Sequence, residues 1–557
     1  MPKNDYSSWS KEDLIKKVKA LEKRKKYGLV WDSEREPEKV VLDCQKELPV
    51  LRELKEKEIH SSKDDVTNIL IEGDNYHTLS VLNYTHEKAI DVIYIDPPFN
   101  TGAKDWKYNN NYVDINDAYR HTKWLSMMSN RLKLAKRLLK DNGVLICAID
   151  DNELNRLGLL LEEIFVNYEI HCVTIVHNPR GIQGKNFSYT HEYAYFVFHK
   201  NLKVVGSRRI REEDIDWRNL RDNGGESLRT DARNCFYPII VENEQVIDFG
   251  EVVSPDVHPE KQTIKSDNKY FVYPIDRTGI ERKWRYSRQS VDEIKDILRA
   301  KGTKSGYEIQ IGKDFGTVRT VWQDSRYDAN EYGTKLLHEI VPESHFNFPK
   351  SIWNTYDCIA PILYQRKRAI ILDFFAGSGT TGHALLSLNS EDGGKRQFIL
   401  CTNNENNILT EDCYPRMQRV IQGYNNSEDQ SIKGLGGNLK YYRTEFVPAT
   451  PTDKNKELLT MQSIEMLNLK ESTFEKVTEN PSYVMYRNSD KYTGIIFDQL
   501  SFTKFKKEIS KVNKPVSLYI FSLADDDFSD DFADMRGLIK ICAIPESILR
   551  VYRRIFR

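Results

Sequence analysis

The sequence predicts an α/β fold in which a sheet carries helices on both faces. Two stretches of the chain alternate between short apolar runs, typical of buried strands, and longer runs with apolar residues at helical spacing. This alternation is the pattern of βαβ units, whose strands are parallel. A charged stretch from about residue 200 to residue 335 lacks the alternation. We therefore expect an inserted domain between two parts of one α/β domain.

Composition indicates a large globular protein. The 557 residues are 39% hydrophobic and 30% charged, with a net charge of −1. Such a length exceeds one ordinary core, so we expect about three or four domains. Neither an apolar run of about 18 residues nor a secretory leader is present in the sequence, so we predict no membrane span and no export. The eight cysteines form no Cys-x-x-Cys pair, which predicts no metal site and favours a reducing cytoplasm.

The N-terminal 62 residues are rich in Lys and Glu. Apolar residues recur at helical spacing, first as Leu14 and Val18 and later as Leu48, Leu51 and Leu54. Such spacing in a charged segment favours one or two exposed helices. We expect residues 1–62 to form a helical arm that packs on the protein or stabilises a dimer.

The first α/β stretch covers residues 63–200. A strand at 66–71 precedes Gly73 and Asp74, and a helix-like run follows it. A second strand at 90–95 ends at Asp96-Pro97-Pro98-Phe99, because two prolines cannot continue a central strand. A helix over 124–139 and a strand over 144–149 complete the stretch.

The second α/β stretch covers residues 336–425. A buried strand at 368–375 enters the turn Ala376-Gly377-Ser378-Gly379-Thr380-Thr381-Gly382, and a helix begins at His383. The next strand, 397–401, ends in Thr402-Asn403-Asn404-Glu405. Residues 426–557 read as a mixed C-terminal domain.

The glycine-rich turn is typical of a nucleotide-cofactor site. Glycines let the backbone approach a ligand closely, and the helix after them offers free N–H groups. A phosphate-binding P-loop would need Lys after Gly382, and here His383 follows. A dinucleotide turn fits the glycine spacing. So does the S-adenosylmethionine turn, in which an acid, here Asp373, and Phe-x-Gly-x-Gly, here starting at Phe375, hold the methionine part of the cofactor.

The Asp-Pro-Pro-Phe segment suits methylation of an aromatic amine, although alone it could be a simple strand-ending turn. The lone pair of such an amine is delocalised into its ring. The Asp96 carboxylate and the Pro97 carbonyl can accept its two N–H groups and localise that lone pair, while Pro98 stiffens the loop and Phe99 offers a face for base stacking. Methylation at cytosine C5 needs a Pro-Cys nucleophile, and the sequence contains no Pro-Cys pair.

Together these residues resemble the amino-methyltransferases, and in their order the permuted beta class of DNA adenine methyltransferases. In that class the Asp-Pro-Pro motif precedes the recognition domain and the cofactor glycines follow it. The resemblance implies a circularly permuted, Rossmann-like S-adenosylmethionine-dependent methyltransferase fold with a mixed sheet, cut between its second and third strands. It also implies an inserted target-recognition domain and N- and C-terminal extensions.

The resemblance also implies cofactor contacts beyond the glycine turn. Asp74 matches the acid that meets the cofactor's adenine, Asp96 faces the cofactor, and Phe348 and Lys350 with Ser351 line the methionine side. The family often has an acid at the end of strand two, whereas Thr402 stands here. Which of Asn403, Asn404 and Glu405 contacts the ribose therefore stays open.

More narrowly, the chain resembles the modification (Mod) subunit of type III restriction–modification systems. The supporting segments are Asp96-Pro97-Pro98-Phe99-Asn100-Thr101-Gly102, Ile149-Asp150-Asp151-Asn152-Glu153, His191-Glu192-Tyr193, Phe348-Pro349-Lys350-Ser351, Gly436-Gly437-Asn438-Leu439 and Ile544-Pro545-Glu546-Ser547. This implies methylation of N6 of a flipped adenine in duplex DNA, a homodimer, and a helicase–nuclease (Res) partner. A stand-alone adenine methyltransferase, a cytosine-N4 methyltransferase and, more distantly, a nicotinamide-dependent oxidoreductase stay open.

Residues 201–335 are the predicted target-recognition domain. Arginines and aromatic residues interleave there, and Arg can read guanine edges or bind phosphates. The arginines and the lysine concerned are Arg208, Arg209, Arg211, Arg218, Arg221, Arg229, Arg233, Arg282, Lys283, Arg285 and Arg288.

Overall fold

A computed structural model describes residues 9–23, 31, 36–62, 65–183, 186–210, 212–524, 526, 528–535 and 537–556. The chain divides into two compact units, one within residues 1–204 and 319–557 (unit 1) and one within residues 205–318 (unit 2). Arg211 lies outside the described residues. None of the helices in the described part of the chain is both long and apolar enough to cross a membrane.

All α-helices among the described residues belong to unit 1. They are α1 (Lys11–Lys23), α2 (Lys39–Asp43), α3 (Asn75–Thr85), α4 (Arg120–Leu138), α5 (Leu154–Ile164), α6 (Leu336–Ile340), α7 (Ile352–Leu363), α8 (Thr380–Asp392), α9 (Tyr414–Gln422), α10 (Asp453–Gln462), α11 (Ile464–Glu471), α12 (Phe502–Ile509) and α13 (Glu546–Ile555).

The strands are numbered in chain order. Before unit 2 lie β1 (Glu47–Glu53), β2 (Thr67–Glu72), β3 (Ile90–Ile95), β4 (Ala103–Tyr108), β5 (Asn111–Asp114), β6 (Leu139–Ile149), β7 (Tyr168–Val176), β8 (Ile182–Gln183), β9 (Ser188–Tyr189) and β10 (His191–His199). Unit 2 holds β11 (Ser207–Arg209), β12 (Arg218–Asn219), β13 (Ile239–Glu242), β14 (Gln245–Phe249), β15 (Thr263–Ser266), β16 (Lys269–Val272), β17 (Leu298–Thr303), β18 (Gly306–Ile311) and β19 (Phe315–Thr317). After it lie β20 (Val321–Gln323), β21 (Ile370–Asp373), β22 (Gln397–Thr402), β23 (Gly423–Asn425), β24 (Ser431–Lys433), β25 (Asn438–Pro448), β26 (Glu475–Asn480), β27 (Tyr483–Arg487), β28 (Tyr492–Ile496), β29 (Val516–Phe521) and β30 (Ile539–Ile544).

A ten-stranded mixed sheet forms the centre of unit 1, in the order β1-β25-β2-β22-β21-β3-β6-β10-β7-β20. The strands from β25 to β6 are parallel, whereas β10 runs antiparallel to both β6 and β7. Strands β21 and β22 come late in the chain, yet they lie between β2 and β3. This is the permuted, Rossmann-like order that the sequence predicts, and the predicted fold class is confirmed.

The central strands are covered on both faces. All six residues of β3 are buried, and successive side chains of a strand point to opposite faces, so apolar material must lie on both sides. The core therefore fixes the positions of the carboxyl ends of these strands.

The predicted helix over Leu48, Leu51 and Leu54 is wrong. Residues 47–53 form β1, an edge strand paired antiparallel with β25, and Leu51 lies opposite Thr444. The spacing of three that suggested a helix also places Leu48 and Leu51 on opposite faces of a strand, and both are buried. Pro49 is compatible with this position because an edge strand need not pair on both sides. Only α1 and the short α2 are α-helical in the described part of the predicted arm.

Two predicted domain boundaries differ from the structure. Unit 2 is shorter than the predicted segment 201–335, because residues 201–204 and 319–335, which include β20, belong to unit 1. The segment predicted as a C-terminal domain from residue 426 contributes β25 to the main sheet before it forms the separate five-stranded sheet β26-β27-β28-β29-β30.

Unit 2 has its own apolar core around Tyr237, Ile239 and Trp284. Several predicted DNA-binding arginines hold its loops instead. Arg229 donates to the carbonyls of Val253, Ser254 and Val257 and pairs with Glu281; Arg221, Arg282 and Arg288 also bind groups of unit 2. A buried arginine that satisfies several backbone carbonyls stabilises a loop-rich fold.

We predict that Leu51→Ala lowers the free energy of unfolding of the protein by about 2–5 kcal/mol, because it leaves a cavity in a packed core. Leu51 is 1% exposed, whereas Leu42, in α2, is 41% exposed. The matched control Leu42→Ala should change the free energy by less than about 0.5 kcal/mol. Urea unfolding measures both, and equal effects would contradict the burial of Leu51 in the core.

Candidate active site

Four strand ends meet at one edge of the main sheet. Asp74 follows β2, Asp96 follows β3, Phe375 follows β21 and Asn403 follows β22, and all four line one cavity of about 1220 Å³. In open α/β sheets, ligands bind at the carboxyl ends of the strands where the strand order reverses. The two motifs singled out from the sequence are therefore brought into one cavity.

The remaining predicted site residues divide into two groups. Pro97, Pro98, Phe99, Phe348, Lys350, Ser351, Gly377 and Glu405 also line the cavity. The predicted cofactor residues outside its lining are Asp373, Ala376, Ser378, Gly379, Thr380, Thr381 and Asn404.

The glycine-rich turn has left-handed backbone at two points. Gly377 has φ of +50° and Gly379 has φ of +81°, a region that favours glycine. Asp373 fixes the turn from within, since its carboxylate accepts from Phe375 N at 2.9 Å and from Thr381 Oγ1 at 2.6 Å. Burial raises the pKa of Asp373 to about 7 despite these hydrogen bonds, which favour the charged form.

Arg416 of α9 supports the same turn. Its guanidinium is fully buried and donates to Thr380 Oγ1 at 2.8 Å and to Ser378 Oγ at 3.2 Å. These two predicted cofactor residues therefore direct their side chains to Arg416. Their contribution to a ligand would come through backbone N–H groups at the start of α8.

Asp96 presents part of its carboxylate to the cavity. Its side chain is 27% exposed, although its Oδ1 is itself buried and accepts no hydrogen bond from the residues that the structure describes. Lys350 Nζ lies 3.4 Å from this atom. Burial raises the pKa of Asp96 to about 6, and the positive charge of Lys350 opposes that rise. The carboxylate is thus mostly ionised at neutral pH.

The loop after Asp96 is fixed by contacts that the sequence did not predict. Trp124 Nε1 donates to the Pro98 carbonyl at 2.7 Å. Asn100 has a positive φ of 58° and is fully buried; it donates to Glu153 Oε1 at 2.5 Å and accepts from Trp106 Nε1 at 3.1 Å. A polar network that is buried and mostly satisfied holds one conformation. The loop is therefore preorganised in the sense that catalysis requires.

Lys350 lies between two carboxylates. It pairs with Glu192 of β10 as well as with Asp96, and its Nζ lies 4.5 Å from the centroid of the Phe99 ring. Burial alone would lower the pKa of Lys350, but the two acids hold it above its usual range. Glu192 was not predicted as a site residue. The signal available was an acid at the start of a strand that is mostly aromatic and apolar.

Phe348 and Ser351 flank Lys350 and differ in exposure. Phe348 has a φ of +60° and is 90% exposed at the cavity. A bulky residue in this backbone region is uncommon and is found mostly where a functional site requires it. Ser351 is buried, and its hydroxyl donates to the Arg326 carbonyl at 2.6 Å.

Asp74 begins a helix and faces a buried arginine. Its carboxylate accepts from Tyr76 N at 2.7 Å as the N-cap of α3, and Arg131 Nη2 lies 3.4 Å away. Arg131, which sequence reasoning missed, also pairs with Glu38 and binds Asn75. The acid predicted to meet the cofactor's adenine is therefore held in place from two sides.

The three residues that the sequence offers for the cofactor ribose, at the end of β22, differ in where their side chains lie. Asn403 and Glu405 line the cavity, and Glu405 pairs with Lys107 of β4 at 2.5 Å. Asn404 Oδ1 instead accepts from Thr410 N at 3.1 Å. Asn403 and Glu405 are therefore the better placed for a cofactor ribose.

A model of the family described as DNA methylase, with N6 and N4 amines as its targets, matches residues 90–410, more than half of the chain. The chain belongs to the N6/N4 DNA methylase family. It is a DNA methyltransferase that uses S-adenosylmethionine. The nicotinamide interpretation of the glycine-rich turn is therefore wrong.

Similar proteins include members of two restriction–modification types. The type II methyltransferase M.KpnI of Klebsiella pneumoniae is 32% identical over 410 residues, which are 70% of this chain and 93% of that protein. The type III EcoPI Mod subunit of Escherichia phage P1 is 28% identical over 424 residues, 67% of this chain. The chain covers 64% of the length of that Mod subunit.

Solved structures give weaker similarity. The M1.HpyAVI–SAM complex aligns over 63% of this chain and 98% of its own, with 14% identity and a TM-score of 0.29. A putative DNA modification methylase from Thermus thermophilus, complexed with S-adenosyl-L-methionine, aligns over 67% of this chain and 99% of its own, with 11% identity and a TM-score of 0.30.

We predict that Gly377→Ala weakens binding of S-adenosylmethionine by roughly tenfold, which corresponds to about 1.4 kcal/mol. The new Cβ would lie in left-handed backbone and 3.1 Å from Phe346 Cζ, at the cavity wall. Gly393→Ala is the matched control, since Gly393 also has positive φ but its Cβ would meet open space. Calorimetry measures both affinities. Equal affinity of Gly377→Ala and the unmodified protein would contradict the placement of the cofactor.

Proposed function

We propose that this chain transfers a methyl group from S-adenosylmethionine to the N6 amine of an adenine that is flipped out of duplex DNA. The observation that carries the proposal is the placement of the Asp96 carboxylate, whose side chain is 27% exposed, in the cavity that Gly377 also lines. The methyl donor and the target amine can then meet in one cavity. Proximity of two oriented reactants supplies a large part of an enzymatic rate.

Asp96 is the proposed acceptor for the amine. The exposed part of its carboxylate and the Pro97 carbonyl would accept the two N–H groups and turn the nitrogen lone pair toward the methyl group. When bound, S-adenosylmethionine would supply the methyl group from its sulfonium and would leave as the neutral thioether, and the methylated amine would release one proton to solvent. Because Asp96 must be ionised to accept, activity should fall as pH drops through its pKa of about 6.

The cofactor-binding roles are assigned according to which residues line the cavity. We propose that Asp74 meets the cofactor's adenine, that Asn403 and Glu405 face the ribose, and that Phe375 and Gly377 hold the methionine part. Asp373, Ser378 and Thr380 would act behind this wall by fixing the turn, since their side chains bind Thr381 and Arg416.

Phe99 is the proposed stacking face for the flipped adenine. Extruding a base costs a few kcal/mol, which contacts to the rest of the duplex must offset. We propose that unit 2 supplies the sequence-reading contacts. Arg218, Arg233 and Arg285 suit this role better than Arg221 and Arg229, because the former three are exposed whereas the latter two are buried.

The biological setting that we propose is a type III restriction–modification system, with this chain as its Mod subunit, homodimeric and paired with a helicase–nuclease (Res) subunit. Similarity to several Mod subunits supports this assignment. A stand-alone methyltransferase is the second candidate, because the chain covers 93% of M.KpnI but only 64% of the EcoPI Mod subunit. Isolation of the protein with or without a bound nuclease subunit separates the two.

We predict that Asp96→Asn lowers the rate of methyl transfer by about 100-fold or more, as expected when a preorganised acceptor for the reacting group is lost. Asp141→Asn, at an acid whose side chain is 90% exposed and outside the cavity lining, is the control and should keep normal activity. Nucleoside analysis of treated DNA gives both the rate and the product. N4-methylcytosine as product, or full activity of Asp96→Asn, would contradict the proposal.

A further inference from the structure

Glu192 is a buried acid that none of the steps above uses. It lies in β10, its side chain is 5% exposed, and it reaches the same cavity as Asp96. Its two oxygens have separate partners: Oε2 pairs with Lys350 Nζ, and Oε1 accepts from Asn354 Nδ2 at 2.6 Å. A buried carboxylate is costly unless it is paired and hydrogen-bonded. Both conditions are met here by residues at the start of α7 and just before it.

The ammonium of Lys350 is shared unequally between two acids. It makes a close, hydrogen-bonded ion pair with Glu192. Its distance to Asp96 Oδ1 is 3.4 Å, and that oxygen receives no hydrogen bond from the described residues. Lys350 therefore places a positive charge beside the buried oxygen of Asp96, while the exposed part of that carboxylate lies at the cavity.

We propose that Glu192 is a positioning residue for methyl transfer: it withholds the Lys350 ammonium from Asp96, so that the carboxylate is stabilised as an anion but stays available to the target amine. This inference rests on the proposed function of Asp96. Without Glu192, the ammonium would have Asp96 as its one close anionic partner among the described residues and would bind the carboxylate that the amine needs.

The charges that face Asp96 decide in which direction a substitution nearby shifts the pKa of its carboxyl group. Lys350 favours the ionised form of Asp96, whereas the negative charges of Glu192 and Asp150 disfavour it. Asp373, at the end of the neighbouring β21, is a further acid near Asp96. His177, after β7, faces Glu192 and Lys350 and is held toward its neutral form because burial lowers its pKa. Tyr94 and Cys147 are buried nearby and stay neutral, because burial raises the pKa of both well above its usual range.

Glu192→Gln and Lys350→Met should consequently shift the acid limb of the pH–rate profile in opposite directions. Glu192→Gln removes a negative charge and brings the ammonium closer to Asp96, so the pKa of Asp96 falls and the limb moves to lower pH. Lys350→Met removes the stabilising cation, so the pKa rises and the limb moves to higher pH. An opposite charge at this distance moves a carboxyl pKa by about one unit or more, which sets the size of each shift.

The rates at neutral pH should fall in both variants for different reasons. In Glu192→Gln the acceptor is ionised but occupied by Lys350, so the plateau rate falls by roughly tenfold or more, the loss expected for about 1.4 kcal/mol of transition-state stabilisation. In Lys350→Met the acceptor is open but partly protonated, so activity recovers as pH rises. A role limited to folding would lower both rates without moving either limb.

The experiment is single-turnover methylation of a duplex that carries the recognition site, at saturating S-adenosylmethionine, from pH 5 to pH 9. Lys440→Met is the matched control. It removes an ammonium that is similarly buried and paired with two acids, Glu53 and Glu58, but that lies outside the cavity lining. Its acid limb should coincide with that of the unmodified protein. Thermal unfolding and cofactor calorimetry verify that each variant is folded.

An acid limb of Glu192→Gln that stays in place or moves to higher pH would overturn the inference. If Glu192→Gln does not fold, Lys350→Met alone decides, since a limb that fails to move upward overturns it equally. Failure of the proposed function is distinguishable from both outcomes. In that case the unmodified protein would form no N6-methyladenine, or Asp96→Asn would keep its activity.

Discussion

The pairing of β3 with β21 is the constraint on which the site depends. Ile371 pairs with Val92 and Leu372 with Ile93 in parallel register, and Ile370 N donates to the Asp91 carboxylate at 3.0 Å across a separation of 279 residues. Because the two strands are parallel and in register, their carboxyl ends lie at the same edge of the sheet. Asp96 and the glycine-rich turn are thereby placed in one cavity. The apolar strands β3 and β21, buried within a core that covers both faces, stabilise this pairing through the hydrophobic effect.

Charge in the cavity wall and directly behind it is balanced over several residues. Asp96, Asp150 and Asp373 have pKa values raised by burial to about 6 to 7, so a modest local change decides whether each is ionised. The ammonium of Lys350 opposes this rise at Asp96, and Glu192 sets where that ammonium lies. Catalysis by a fixed acceptor needs this balance to be established before the substrate binds, since reorganisation during the reaction would add to the barrier.

The parts of the fold that local sequence predicts are those where one physical rule acts alone. Two prolines end β3, glycines alone suit the left-handed turn at residues 377 and 379, and continuous apolar runs become central strands. The permuted order followed from the order of two motifs rather than from any local pattern. The edge strand β1 was missed because Leu48 and Leu51 suit both a helix face and a strand buried on both faces, and only its pairing with β25 decides between them.

The site was predicted less completely than the fold. Motif residues such as Asp96 and Gly377 were found because their chemistry is specific to residue type. Glu192, Arg131 and Arg416 were missed because their roles depend on partners far away in sequence, and their sequence neighbours do not indicate those partners. The arginines of unit 2 illustrate the opposite error. Arg221 and Arg229 suggested DNA contacts from composition, yet they bind backbone carbonyls of their own unit.

The most direct test of the central claim is a crystal structure of the protein with duplex DNA that carries its target site and a non-reactive analogue of S-adenosylmethionine. We predict a flipped adenine stacked on Phe99, with its N6 atom within hydrogen-bonding distance of the Asp96 carboxylate and on the line toward the transferable group of the analogue. An analogue bound with that group far from Asp96, with no space between them for a purine ring, would contradict the account.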